Sequence, residues 1–418
     1  RERRYLGIPF SDDMGAARLS PCGNATAAMA LSGGTDGWGR ALYAERGFAQ
    51  SLERENDDDP AGDYLPLVQQ LNGDTTVVEQ PVDLTFLEGK YSKFSTDFVD
   101  AHASDRFFFY AATSHVHTTE ANLPASQYAG CEFRGASIRG PFGDALAEAD
   151  ALVGDVVKAV DAHDLRDDTL FIFSSDNGPW MIQAQSAGSV GHLYARAAGY
   201  WNIGKGSTWE GGVRVPAFIS WKGVVQAGGT TPAAISASDV FPTLSKLIGV
   251  PLPSTMDYNG TSVKAVYDGV DQTEAFFGAA TTSARDATKD CLFLFGGPYK
   301  DVKPSAARCG PLKLHWATGP GLGGCVSTPP SELNDNCTDQ YYDDAPLVFD
   351  VEADPSEQFP LASNASAAVA AVLAWANASY AKLMGEYVPG NLTAENGGVA
   401  PDIDDERVNG TALYGVCC

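Results

Sequence analysis

Thr169-Leu170-Phe171-Ile172-Phe173-Ser174-Ser175-Asp176-Asn177-Gly178-Pro179 decides how this chain is read, together with the string that closes the loop after it, Gly204-Lys205-Gly206-Ser207-Thr208-Trp209-Glu210-Gly211-Gly212-Val213-Arg214-Val215-Pro216. Leu170 to Phe173 is apolar without polar alternation, the pattern of a strand buried on both faces in a parallel sheet between helix layers. The run breaks into polar residues at Ser174. Asp176 and Asn177 are thereby placed just past the carboxyl end of a central strand, where open α/β sheets bind ligands. A carboxylate beside a carboxamide offers hard oxygen donors to a calcium- or magnesium-sized cation. Lys205 brings a positive point charge to the far end of the loop, and its flanking glycines let backbone approach an anion closely. Cation and lysine together describe an oxyanion site.

Two plainer readings stand beside this one. Ser-Ser-Asp-Asn-Gly-Pro is also good turn chemistry without any metal. Gly199 to Gly206 spells G-x-x-x-x-G-K-G, one residue from a nucleotide-binding P-loop, which needs Ser or Thr where Gly206 stands. That motif also requires a strand before it and a helix after it. Ala195 to Tyr200 is no buried strand, and Glu210-Gly211-Gly212 with Pro216 breaks a following helix, so nucleotide binding is set aside.

Phe173 to Pro179 followed at loop distance by Gly204 to Pro216 resembles the second half of the sulfatase catalytic domain, in its arylsulfatase A and galactosamine sulfatase branch. The resemblance extends in order through Tyr5 to Ser11, Phe107 to His117, Arg139 to Asp144, Ser238 to Leu244 and Leu347 to Glu357, and so covers most of the chain. The family's defining motif, Cys or Ser followed one residue later by Pro-Ser-Arg, is absent from these 418 residues, as is its Gly-Lys-Trp-type neighbour. The resemblance implies an alkaline-phosphatase-like, doubly wound α/β sheet lacking its first strands, over residues 1–275. A smaller C-terminal α+β domain with an antiparallel sheet is expected over 276–418.

Composition agrees with a secreted globular protein. With 418 residues and 44% hydrophobic content the chain can bury a sizeable core. A net charge of −25, spread along the chain, argues against nucleic acid or an anionic membrane as partner. Most of it is read as solvated surface. Asn24, Asn259, Asn336, Asn364, Asn377, Asn391 and Asn409 each open a glycosylation sequon. Eight cysteines without C-x-x-C suggest disulfides rather than zinc, with Cys309, Cys325 and Cys337 close enough for local bridges. Cys417-Cys418 resembles the cysteine pair near the end of arylsulfatase A. No apolar run reaches the roughly 18 residues of a membrane helix, and the longest, Ala367 to Ala376, is expected as a surface helix.

Along the chain, Asp12-Asp13 invites comparison with the Asp-Asp metal pair that opens a sulfatase domain. It is not assigned that role, because Gly7 to Ser11 before it resembles a loop rather than a buried first strand. Trp38 to Asp83 is largely polar and is expected as surface loops. Phe107 to Thr113 reads as a strand ending in Ser114-His115-Val116-His117, whose two histidines share a face if the segment is extended. Apolar residues at Phe142, Leu146, Ala149, Val153, Val156, Val157 and Val160 predict a helix over 141–163. The long loop after Trp180 carries His192, Tyr194, Tyr200 and Trp201, which either rim a substrate pocket or pack on the surface. Val215 to Trp221 reads as a strand, and Ser238 as the cap of a helix over 239–248.

What the resemblance implies for function is hydrolysis of aryl or sugar sulfate monoesters by a formylglycine nucleophile expected upstream, with calcium, or magnesium, as the metal. On this chain it assigns Asp176 and Asn177 to the metal, Lys205 to sulfate binding and catalysis, and His117 to substrate binding, in contact with the sulfate and the leaving group, and to catalysis as general acid, with His115 in reserve. The chain is then the larger, C-terminal part of a sulfatase, inactive by itself. Its partners would be a sulfated small molecule or glycan and, for the whole protein, the formylglycine-generating enzyme, in the lysosome or outside the cell. The alternatives are a phosphodiesterase or phosphonate hydrolase of the same superfamily, and a glycosylated secreted protein without catalysis.

Overall fold

The computed structural model describes residues 4–9, 40–44, 67–71, 74–79, 83–117, 129–258, 261–265, 267–278, 283–285, 290–297, 303–322, 324, 337–342, 345–362, 364–386, 407–408 and 411–412. Its main sheet has four strands in the order Phe108–Tyr110, Arg4–Pro9, Thr169–Ser174, Ala217–Ser220. The first three are parallel, and Ala217–Ser220 runs antiparallel to Thr169–Ser174 at the edge. Arg4–Pro9 is therefore an inner strand, with Tyr5 opposite both Phe108 and Leu170 and Pro9 opposite Ser174. This corrects the loop reading of Gly7 to Ser11 for its first residues. The Gly7-Ile8-Pro9 stretch has the punctuation of a loop, but ladder pairing on both sides overrides it. Asp12 and Asp13 lie outside the described residues.

One face of this sheet is packed by two helices, α1 over Leu87–Ala101 and α2 over Gly140–Ala162. Proline at the first turn of α2 suits a position whose N–H has no intrahelical acceptor. Leu152, Val156 and Val160 of α2 join Leu87, Tyr91 and Val99 of α1 in a core with Phe107, Phe109 and Phe171 of the sheet. Phe98 of α1 stacks on Phe109 at 4.8 Å between ring centroids and meets Phe107 edge-on at 5.6 Å. The strand residues between these point the other way: Phe108, Tyr110 and Phe218 are exposed. The expectation of a strand buried on both faces is thus met at Leu170 and Phe171, while Ile172 and Phe173 are only half-buried.

Several local expectations are revised. Residues 38–83 include a three-stranded antiparallel sheet of Arg40–Ala44, Leu67–Leu71 and Asp74–Glu79 rather than loops alone. The helix Val240–Ile248 is entered through a 3₁₀ turn capped by Ser236 in a capping box with Asp239, so Ser236 and not Ser238 is the cap. The reason is the extra turn, which moves the helical entry two residues upstream.

The C-terminal region forms an antiparallel sheet in the order Leu292–Leu294, Ala306–Cys309, Leu312–His315, Leu347–Asp350. A helix over Ala367–Glu386 lays Val369, Val372, Leu373 and Ala376 against Ala307, Leu314 and Trp316 of this region. Its 18-residue window Ala367–Met384 is long and apolar enough, by length and composition, to cross a membrane, which the sequence was not expected to offer. In this fold its apolar stripe is taken by the sheet. Cys291 and Cys309 form a disulfide, so Cys309 does not bridge to Cys325 or Cys337 as its proximity suggested. Cys131 and Cys337 each take part in a disulfide as well. Cys417 and Cys418 lie outside the described residues.

Candidate active site

At the carboxyl end of Thr169–Ser174 the chain turns sharply, and the turn is held by its own polar groups. Asp176 Oδ1 accepts from the backbone N–H of Asn177 at 2.8 Å and from Ser175 Oγ at 3.4 Å. Asn177 Nδ2 donates to Gly178 O at 3.0 Å, leaving the amide oxygen as the side chain's donor atom for a cation. Two glycines then bring the next segments into backbone contact. Gly178 N–H donates to Gly212 O at 2.9 Å, and a Cβ at residue 178 would stand 1.8 Å from Gly211 O. A Cβ at Gly204 would stand 1.9 Å from Pro179 O, which accepts from Lys205 N–H at 2.9 Å. The two sequence strings that opened this reading therefore run against each other, and only glycine permits it.

Lys205 is half-buried in this arrangement, with Nζ 3.4 Å from His117 Nε2. A lysine ammonium only donates, so in this contact Nε2 is the acceptor. His117 sits on a turn closed by its N–H to Ser114 O at 3.0 Å. The turn is clamped from below by two buried carboxylates. Glu88 accepts from Thr113 Oγ1 at 2.5 Å and from the N–H groups of Ser114 and His115 at 3.1 and 3.2 Å. Glu148 accepts from Gly130 N–H at 2.7 Å and faces His115 Nε2 at 2.8 Å. Burial, with Glu148 adding to it, holds the Glu88 carboxyl above the ordinary range despite the opposing pull of His115 and Thr113. His115 is fully buried in this clamp, whereas His117 lies against Lys205.

The structure brings His117 and Lys205 into contact and puts Asp176 and Asn177 on the turn that leads into Pro179 and Trp180 beside them. Asp176 is exposed at that sheet end, where its charge, after partial burial, pushes the Tyr110 hydroxyl up. As oxygen donors, Asp176 and Asn177 are of the chemical type that suits a hard cation. Among the described residues no cluster of three or more His, Cys, Asp or Glu adds to them.

Sequence reasoning missed Trp180. Its half-buried ring has Lys205 Nζ 5.7 Å from the centroid and the His117 ring 6.3 Å away. The signal was present, since Trp180 follows Asp176 by four residues, but only tertiary packing tells which loop aromatic turns inward. Of the aromatics singled out instead, Tyr200 is buried and its hydroxyl accepts from Trp209 Nε1 at 2.8 Å, so it serves the core. Tyr194 is exposed and its hydroxyl accepts from Gln358 Nε2 at 3.0 Å.

The C-terminal region completes the rim, which the sequence did not announce. Asn202 Nδ2 donates to the carbonyls of Gly321, Leu322 and Gly324 at 3.0, 3.3 and 2.6 Å. Leu322 N–H donates to Lys205 O at 2.6 Å, and Trp180 Nε1 to Leu322 O at 3.0 Å. Behind the loop lies a buried ionic cluster. Lys313 Nζ stands 2.8 Å from Glu210 Oε1 and 3.4 Å from Glu357 Oε1, with His315 Nε2 2.8 Å from the latter oxygen.

A sheet of three parallel strands with an antiparallel edge strand, whose following loops bring a lysine, a histidine and adjacent oxygen donors near one another, defines an α/β protein. The comparisons make the class specific. The sulfatase family model matches residues 46–250, and the model for the C-terminal region of aryl-sulfatase matches 287–406. The chain is 32% identical to arylsulfatase A of Homo sapiens over 374 residues, covering 88% of this chain and 61% of that protein. It is 33% identical to arylsulfatase G of Homo sapiens over 369 residues, covering 85% of this chain and 60% of that one. The crystal structure of the PsFucS1 sulfatase from Pseudoalteromonas sp. superposes with a TM-score of 0.57 at 25% identity, over 78% of this chain and 57% of that one. This chain belongs to the sulfatase family, and its fold is the alkaline-phosphatase-like one. It spans about 60% of the length of these curated relatives.

Proposed function

We propose that this chain is the C-terminal part of the catalytic domain, followed by the smaller domain from about residue 276, of an enzyme that hydrolyses sulfate monoesters of aryl or sugar substrates. The observation that carries this is the 3.4 Å approach of Lys205 Nζ to His117 Nε2, beside the Asp176-Asn177 turn, in a chain of this family. Lys205 holds a sulfate oxygen by charge and hydrogen bond, and the nearby oxyanion charge is stabilised most where water is excluded. An oxygen that takes the Lys205 hydrogen bond releases Nε2 of His117 from it. Nε2 can then take up a proton from solvent and, as the imidazolium, pass it to the departing alcohol oxygen, which returns the ring to its neutral form. Asp176 and Asn177 would hold the calcium, or magnesium, which as a Lewis acid withdraws charge from the sulfate oxygens. The formylglycine nucleophile is assigned to a Cys/Ser-x-Pro-Ser-Arg segment that these residues do not contain.

Exposed Asn364 and Asn377 in sequons, together with the Cys291–Cys309 disulfide, support maturation in the secretory pathway, for lysosomal or extracellular use. The test is expression of the full gene product in a host that makes formylglycine, with aryl sulfate turnover measured with and without calcium. Lys205→Ala is expected to lower kcat by about 10²–10³-fold. The 418 residues alone are expected to stay at background, because removing a covalent nucleophile costs many orders of magnitude. Turnover by the chain alone, or indifference to Lys205→Ala, would refute the assignment.

A further inference from the structure

Trp180 meets the site on its face and the C-terminal region on its edge. Lys205 Nζ lies over the indole at 5.7 Å from the centroid, and the His117 ring stands at 6.3 Å with planes 36° apart. The indole N–H is engaged by Leu322 O at 3.0 Å, which fixes the ring against rotation. Next to it the Leu322 side chain is 45% exposed, although its backbone N–H is tied to Lys205 O. Residue 206 is glycine where a Cβ would approach Leu322 N to 2.9 Å, so this apolar shelf closes directly onto the lysine loop. A pinned aromatic face and an exposed aliphatic side chain thus adjoin the two groups assigned to the sulfate.

We propose that Trp180 is the specificity-determining platform for the leaving group, selecting sulfate esters in which a ring with an apolar face follows the ester oxygen. This rests on the sulfate-binding reading of Lys205 and His117. An ester anchored at Lys205 extends its leaving group over the indole, where a ring gains stacking contact that a flexible alkyl chain does not. The shared chemistry is a ring with an apolar face, supplied either by an aryl group or by a pyranose.

The test uses non-hydrolysable sulfonates, so that binding is read without turnover. Calorimetric titration of the full gene product with benzenesulfonate, 6-deoxy-6-sulfoglucose and butanesulfonate is compared with Trp180→Ala, Trp180→Phe and Lys205→Ala. A stacking contribution of roughly 0.5–1.5 kcal/mol corresponds to about a 2–13-fold preference for a ring ligand over butanesulfonate. Trp180→Ala is expected to abolish that preference with butanesulfonate affinity changed less than about 2-fold, and Trp180→Phe to restore most of it. Which ring ligand loses affinity identifies the aryl or sugar source. Equal losses for all three ligands in Trp180→Ala would make the residue a mere support of Lys205 and overturn the proposal. So would a wild-type protein without ring preference. Lys205→Ala should weaken all three ligands alike; if it does not while Trp180→Ala removes the preference, the sulfate assignment fails and the platform stands.

Discussion

Replacing Lys313 by methionine removes the only lysine from the buried cluster that joins the lysine loop to the C-terminal sheet, and the structure dictates what that leaves behind. Lys313 is fully buried, 2.8 Å from Glu210 and 3.4 Å from Glu357. Glu210 retains Arg214 at 3.5 Å and Arg308 at 3.8 Å. Glu357 keeps His315 at 2.8 Å and the Glu210 N–H at 2.6 Å but loses its lysine charge partner. Burial drives the His315 proton affinity down, so at neutral pH the ring beside Glu357 is uncharged and Lys313 is the cation that matters. Burial would raise the Glu357 carboxyl, yet Lys313 and the His315 hydrogen bond outweigh it and hold it below the ordinary range. Breaking a buried pair by deleting one partner costs about 3–5 kcal/mol.

The sign of the pH dependence follows. In the parent, Glu357 has a depressed folded pKa, so its contribution is present above the unfolded value and lost as pH falls through the folded one. Without Lys313 burial dominates, the folded pKa rises above the unfolded value, and the contribution reverses. Urea unfolding of Lys313→Met should therefore show a deficit of about 3–5 kcal/mol at pH 7 that shrinks towards pH 5. Adding Glu357→Gln should recover part of it. A deficit under about 1 kcal/mol, or one that does not change with pH, would refute the reasoning.

Two further outcomes can be checked on the same protein. Glu88 has a raised folded pKa, so its contribution to stability is complete below about pH 4.3 and declines as pH rises through the folded value; Glu88→Gln should flatten that slope in unfolding free energy against pH. An unchanged slope would remove Glu88 as its source. Gly178→Ala places a Cβ 1.8 Å from Gly211 O, which forces the Asp176 turn away from the lysine loop. It should cost at least about 1–3 kcal/mol and lower the affinity for sulfonates, and a variant that melts and binds like the parent would refute the close approach.

Much of the fold was legible because it is local. The apolar run at Leu170 to Phe173 marked the central strand, and the spacing from Leu152 through Val156 to Val160 marked the face of α2 that covers it. The string around Asp176 and the string around Lys205 were each readable alone, as a polar break after a strand and as a cation among glycines. Their contact was not. It depends on Gly178 and Gly204 lying against Gly211 and Pro179, pairs brought together by chain reversal rather than by spacing. Arg4–Pro9 misled for the related reason that ladder partners on both sides, far away in sequence, made a strand of residues whose local signals are those of a loop. The division of labour between the two histidines had no local mark either. His115 and His117 differ by two residues, and only Glu88 and Glu148, projecting from separate helices, bury the first and leave the second facing Lys205. Sequence periodicity reports which side of its own element a residue occupies, whereas charge pairing and close backbone approach depend on which other element packs there, and that is decided by the whole core.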